Sequence, residues 1–162
     1  MKWKTLSGEE VPDIATFVQT AAASGQDIHI GTDSLQTGRF TQFVTVLAIL
    51  TPMKGGRALY SREIVPRISS LRERLLREVW KSVELGMKLS ESIAPGQLTI
   101  HVDANPSEQH MSSKYVQELV GLVVGQGFKS LIKPESWCAT HAADWTVRHL
   151  NSRGERERAK RN

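Results

Sequence analysis

"HIGTDSLQ", residues 29–36, carries an apolar strand onto a bare carboxylate. The residues leading in, Asp27-Ile28-His29-Ile30, alternate polar and apolar, the period of a half-buried strand. Asp33 then arrives between two hydroxyls, Thr32 and Ser34. The same ending returns at 98–103, "LTIHVD", which delivers Asp103 directly after an apolar run. In each strand the acid falls on the polar side of the alternation, with His29 and Gly31 in one and with Thr99 and His101 in the other. Neighbouring strands lie about 4.8 Å apart. Two such strands, parallel and adjacent, therefore release both carboxylates at one carboxyl edge, where open α/β sheets bind ligands. Gly31 keeps side-chain bulk off that face.

Around these two strands the remaining pattern fills in a sheet. Strand-like runs at 27–34, 40–50 and 57–65 are separated by turns at Thr37-Gly38 and Lys54-Gly55-Gly56, which suit antiparallel hairpins. A helix follows at 69–91, where Leu71, Leu75, Val79 and Val83 repeat every four residues, and Pro95-Gly96 ends it. Next come a strand at 98–103, a helix at 112–126, a strand at 128–133 and a last helix from Pro134 and Ser136 to about 151. Gly121 and Gly125, one turn apart, predict a close approach to a neighbouring element. Ahead of the sheet, Ile14, Phe17, Val18 and Ala21 form the stripe of a short helix opening at Pro12 and closed by Gly25.

Crossover helices require the fourth and fifth strands to run parallel to a neighbour. The expected fold is α/β: a mixed five-stranded sheet, three antiparallel strands and then two parallel, with helices on both faces. It forms a single domain over 1–150, with 1–25 an N-terminal extension holding a short helix and 151–162 a basic flexible tail.

Bulk properties narrow the function classes. A chain of 162 residues, 40% hydrophobic and 23% charged, is long enough to bury a core. No apolar run reaches the roughly 18 to 20 residues of a membrane span, and no secretory leader pattern opens the chain. The lone cysteine, Cys138, excludes an internal disulfide or a thiolate metal cage, and a reducing, cytoplasmic location is expected. The net charge is +4, and the tail supplies three of those charges: Arg153, Arg156, Arg158, Lys160 and Arg161 against Glu155 and Glu157. Such a tail is in the first place a solvated end, and in the second a weak, salt-sensitive phosphate contact.

Further acids can join the edge. In the last helix Ala139, Ala143, Val147 and Leu150 form the core stripe, while His141, Asp144 and Arg148 share a neighbouring face. In the long helix Glu73 falls in the first turns and Glu78 borders the apolar stripe. Two carboxylates about 4 Å apart repel by roughly 4 kcal/mol at an effective dielectric of 20. A shared proton, a basic side chain or a divalent cation must compensate. With hard oxygen donors and no thiolate cluster, the cation of choice is Mg²⁺ or Mn²⁺, and two such ions can activate water and stabilise the leaving oxygen of a phosphodiester.

Plainer readings compete. A single strand-end Asp is ordinarily a turn or cap residue, but two on adjacent strands, with Asp144 available, outweigh that reading. Glu73 and Glu78 individually suit solvated pairing with Arg72, Arg74, Arg77 and Lys81. His29 and His101 read as satisfied strand residues, and Trp80, Trp137 and Trp145 as core or rim packing.

The motifs "IGTDS" (30–34), "SLRERLLRE" (70–78), "HVDANP" (101–106) with "SSKYVQELVGLVVGQGF" (112–128), and "IKPESWCATHAAD" (132–144) resemble, in that order, the bacterial YkuK-like family of ribonuclease-H-like proteins. The resemblance spans roughly 25–150. It implies metal-binding carboxylates at Asp33, Glu73, Asp103 and Asp144, with Glu78 the alternate to Glu73. It also implies a nuclease that hydrolyses RNA, an RNA–DNA hybrid or structured DNA with Mg²⁺ or Mn²⁺, two ions being expected. In that scheme Asp33 bridges the ions, Asp103 and Asp144 each hold one, and His141 assists proton transfer or product release. The alternative is a catalytically silent nucleic-acid-binding or protein-interaction module on the same scaffold. The basic tail and the absence of the basic insertion found in some ribonucleases H motivate it.

Overall fold

The computed structural model describes residues 1–94 and 96–138. The sheet has seven strands, not five. The three long central strands are β3 (Asp27–Thr37), β4 (Phe40–Thr51) and β5 (Gly55–Pro66), paired antiparallel as expected. On one side β6 (Leu98–His101) pairs parallel with β3, and β7 (Lys129–Leu131) parallel with β6. On the other side the N-terminal segment adds β1 (Trp3–Thr5) against β5 and β2 (Glu10–Val11) against β1. The strand order is β2-β1-β5-β4-β3-β6-β7. The two extra strands, of three and two residues, are too short to show a period in sequence. Trp3, 6% exposed, anchors them in the core.

The helices form where their caps place them. In α1 (Ile14–Ala23) the Asp13 carboxylate accepts from the Thr16 backbone N–H at 3.0 Å, so the cap is Asp13, one residue after Pro12. In α2 (Leu71–Ser90) the Ser70 hydroxyl accepts from the Glu73 N–H. A short 3₁₀ turn, Ser113–Tyr115, leads into α3 (Val116–Gly125).

All three helices bury their stripes in one cluster. Val18 and Ala21 of α1, Leu75, Val79 and Val83 of α2, and Leu119 and Val123 of α3 meet Ile28, Ile30, Leu47, Ile49, Leu98 and Ile100 of the sheet. Each fully buried isoleucine here contributes about 1.5–3 kcal/mol. The opposite face carries a smaller cluster, Val44, Val46, Ala48, Tyr60 and Cys138, closed by Leu6 and Trp137. The expected last helix, with its residues from Ala139 onward, lies outside the described residues, as does the tail.

Close packing runs through a different glycine from those singled out. A Cβ at Gly121 or Gly125 would meet nothing within 4 Å, whereas one at Gly86 in α2 would sit 3.2 Å from Phe128 Cζ and 3.4 Å from Ile100 Cδ1. Gly86→Leu is therefore expected to destabilise the chain by about 2 kcal/mol, overpacking outweighing the gain in helix propensity. Urea unfolding with an unchanged slope checks this; a variant as stable as the parent would mean that Phe128 yields freely.

Candidate functional site at the carboxyl edge of the sheet

Register sets the site. Gly31 of β3 stands opposite His101 of β6, and His101 opposite Leu131 of β7. Two residues further along each chain come Asp33, Asp103 and Lys133, one row of side chains. Asp33 lies within β3, which runs on to Thr37 rather than ending near Ser34, while Asp103 and Lys133 lie just past the ends of β6 and β7. Beyond the last paired residues the chains still run together, with Val102 N–H donating to Leu131 O at 2.8 Å and Lys133 N–H to Ala104 O at 3.2 Å. Asp33 and Asp103 are half-buried.

The helix α2 sets a third acid nearby, against the opposite face of β3. Thr32 Oγ1 lies 2.8 Å from Ser82 Oγ and 3.0 Å from Thr45 Oγ1, a buried hydroxyl cluster. One helical turn back and two strand residues on, Ser34 Oγ donates to Glu78 Oε1 at 2.5 Å. Four helical residues rise about 6 Å and two strand residues about 6.6 Å, so both rungs fit in one register. Glu78 is 6% exposed. Burial, reinforced by the Asp33 and Asp103 charges, pushes its carboxyl up from the ordinary value of 4.5 to about 8, against the Ser34 hydrogen bond and the Arg74 charge.

Basic groups offset part of this charge. Lys133 Nζ lies 2.5 Å from Asp103 Oδ1, an ion pair out of hydrogen-bond alignment, so that this buried oxygen accepts no hydrogen bond. Arg74 Nη1 reaches Ser34 Oγ at 3.5 Å. The Ser34 N–H donates to Asp33 Oδ1 at 2.8 Å. Two of the three compensators that clustered acids require are thus in place: a proton held on Glu78 and nearby cations.

Glu73 is placed elsewhere. It lies on the outer face of α2, its carboxylate half exposed and paired with Arg77 Nη2 at 2.9 Å, one helical turn away. Asp144 and His141 lie outside the described residues. Among the described residues, no group of three or more His, Cys, Asp and Glu side chains closes around a common point as a metal cage would. The hard, anionic donors at the edge suit a divalent cation in kind, and Asp103 Oδ1 retains accepting capacity.

Behind the acids, His29 and His101 are satisfied, as expected. The Trp137 N–H donates to His101 Nδ1 at 3.2 Å, so the His101 proton sits on Nε2 and points to His29 Nδ1, 2.9 Å away. Burial, with His29 alongside, holds His101 down at about 4, and burial also lowers His29. Trp137 packs on both rings, 5.1 and 4.9 Å between centroids. Trp80, in contrast, is 48% exposed on α2, and Trp145 lies outside the described residues.

Lys133 is not singled out from sequence, and Arg74 is read there only as a solvated ion-pair partner of the helix acids. Lys133 becomes visible only through the row shared with Asp33 and Asp103, which depends on the register of β7.

A sheet of three antiparallel and two parallel strands with acids at its carboxyl edge is the architecture of ribonuclease-H-like proteins. A family model, "Ribonuclease H-like", matches residues 9–148, and the chain belongs to that family. It is similar to the "Uncharacterized protein YkuK" of Bacillus subtilis (strain 168), 28% identical over 140 residues, covering 78% of this chain and 81% of that protein. No solved structure gives a significant match. No helix among the described residues is long and apolar enough to cross a membrane.

Proposed function

We propose that the chain is a metal-dependent nuclease acting on RNA, an RNA–DNA hybrid or structured DNA. The observation that supports this reading is the single row formed by Asp33 on β3 and Asp103, two residues past the end of its parallel neighbour β6, with Glu78 close enough to feel both charges. Asp33 and Asp103 would hold Mg²⁺ or Mn²⁺, two ions in the full site, and Glu78 takes the place first assigned to Glu73. Asp144 remains the proposed fourth carboxylate, and His141 the proposed aid to proton transfer or product release. When bound, the ions supply Lewis acidity toward water and the leaving oxygen.

The chain's own groups divide the remaining work. Glu78, with its carboxyl near 8, can hold or release a proton at working pH. Lys133 and Arg74 border the acids and suit the phosphate oxygens of a substrate. Incubating the full chain with labelled RNA, hybrid and branched DNA, with Mg²⁺ or Mn²⁺ and with EDTA, tests the reading. Metal-dependent cleavage of one substrate is expected, and no cleavage of any would end it.

One observation favours the second reading, a catalytically silent nucleic-acid-binding module: Lys133 already occupies Asp103. Salt-sensitive binding without cleavage and without Mn²⁺ uptake is its expected signature.

A further inference from the structure

The central strands are long, and they overhang the acids. Parallel pairing of β3 with β6 stops at Gly31, yet β3 continues to Thr37, paired with β4 all the way. Six residues therefore project past the last β6 partner, about 20 Å of three-stranded ribbon. One face of the ribbon is backed by the segment entering α2: Ile68 N–H donates to Thr41 Oγ1 at 2.9 Å, and Gln36 Nε2 donates to Ile68 O. The other face is the one from which Asp33 projects; beyond Val44, which belongs to the buried cluster with Cys138 and Trp137, its side chains are exposed or half-buried.

Register gives the composition of that face row by row. Asp33 stands opposite Val44, and Val44 opposite Arg62. In the next row are Leu35, Gln42 and Ile64, and in the last Thr37, Phe40 and Pro66. Leu35, Phe40 and Ile64 are 47%, 55% and 56% exposed. Arginines stand at both ends: Arg62 beside the acid row, and Arg39 and Arg67 at the tip, all exposed. Arg67 Nη1 donates to Gly38 O at 2.9 Å, which holds it against the turn. Past Asp33 the paired rows of this face contain no acid.

We propose that this ribbon face binds the unpaired bases of a single-stranded nucleic-acid segment leading into the carboxylate edge. The inference rests on the nucleic-acid reading above and names the form of substrate. An apolar surface bearing an exposed aromatic, bounded by cations at each end, matches a strand whose bases are free to stack and whose phosphates are anionic. A duplex keeps its bases inside and would present only phosphates, to which Phe40, Leu35 and Ile64 offer nothing. A second copy of this chain fits less well. Two-fold pairing would set arginine-bounded faces against each other with no acid beyond Asp33 to meet them.

The test is fluorescence anisotropy with the full chain in EDTA, using labelled 12-nucleotide oligo(U) and oligo(dT) and a duplex of the same length. Phe40→Ala is expected to weaken single-strand binding about tenfold and leave duplex binding within about twofold, and Phe40→Tyr to restore it. Arg62→Ala is expected to reduce the slope of log K against log salt by about 0.7, the signature of one lost phosphate contact. If the parent binds single strands and Phe40→Ala binds them equally well, the platform is wrong while the nuclease reading survives. If the parent binds no nucleic acid, both fall. If sedimentation shows a dimer that Phe40→Ala dissociates, the face belongs to a second copy and the proposal is overturned.

Discussion

Asp33→Asn is expected to lower the rate of cleavage about 10³-fold, the equivalent of roughly 4 kcal/mol of lost transition-state stabilisation, without lowering the melting temperature. The amide keeps the shape of the side chain and an oxygen able to accept from the Ser34 N–H, the 2.8 Å bond of the parent. It removes one negative charge near the buried Glu78 carboxyl. Asp33 is one of two charges that push the Glu78 carboxyl up, so its neutralisation relieves repulsion while the proposed hold on a cation is lost. Activity and stability should therefore separate, the pattern of a site kept at the expense of the fold. A readout independent of cleavage is Mn²⁺ uptake by electron paramagnetic resonance, expected to drop in parallel. A variant that cuts as fast as the parent would remove Asp33 from the chemistry and leave the silent-module reading standing.

How far the sequence discloses this site depends on the period that carries each residue. Asp33 and Asp103 are legible because a strand has a period of two, and one register relation between β3 and β6 places both. The edge strands β1 and β2 are not, because three and two residues cannot display a period. Glu73 and Glu78 differ by five residues on a helix and point in different directions. The stripe Leu71, Leu75, Val79 and Val83 already puts Glu78 beside the sheet, next to Val79 and one turn from Leu75. A second signal accounts for Glu73: Ser70-Leu71-Arg72-Glu73 has the spacing of a capping box, and its serine does cap the Glu73 N–H. The carboxylate of Glu73 itself pairs with Arg77, one turn further along the helix. Lys133 and the backing of the hairpin ribbon depend on pairings between distant segments, which local pattern does not contain. The same holds for Gly86, whose neighbours Phe128 and Ile100 come from beyond its own helix.

Glu78→Gln is expected to stabilise the chain at pH 8.5 and to remove most of the pH dependence of stability between pH 6.5 and 8.5. The Glu78 carboxyl is raised in the folded state, from 4.5 to about 8. Between those values the folded chain binds a proton that the unfolded chain has released. Stability from this group is thus complete below pH 4.5, declines as pH rises toward 8, and is gone above it. At about 1.4 kcal/mol per unit the separation amounts to on the order of 5 kcal/mol. The buried histidines act in the opposite sense and in a lower window. His101, held at about 4 against an ordinary 6.5, costs stability only as pH falls below 6.5. From pH 6.5 to 8.5 the slope therefore belongs mainly to Glu78. Glutamine stays neutral throughout and can still accept from Ser34 Oγ, although its amide N–H groups need partners. The net gain at pH 8.5 should be about 3 kcal/mol, or roughly 10 °C in Tm. Thermal melting of parent and variant at pH 5, 6.5 and 8.5 measures it, and adding Mg²⁺ at pH 8.5 gives a second contrast. If Glu78 is a ligand, the cation should raise the Tm of the parent and leave the variant nearly unmoved. A parent whose Tm is flat from pH 6.5 to 8.5 and equal to that of the variant would show that Glu78 carries its charge at no cost. The edge would then be a hydrated acidic surface rather than a desolvated pocket held ready for a cation.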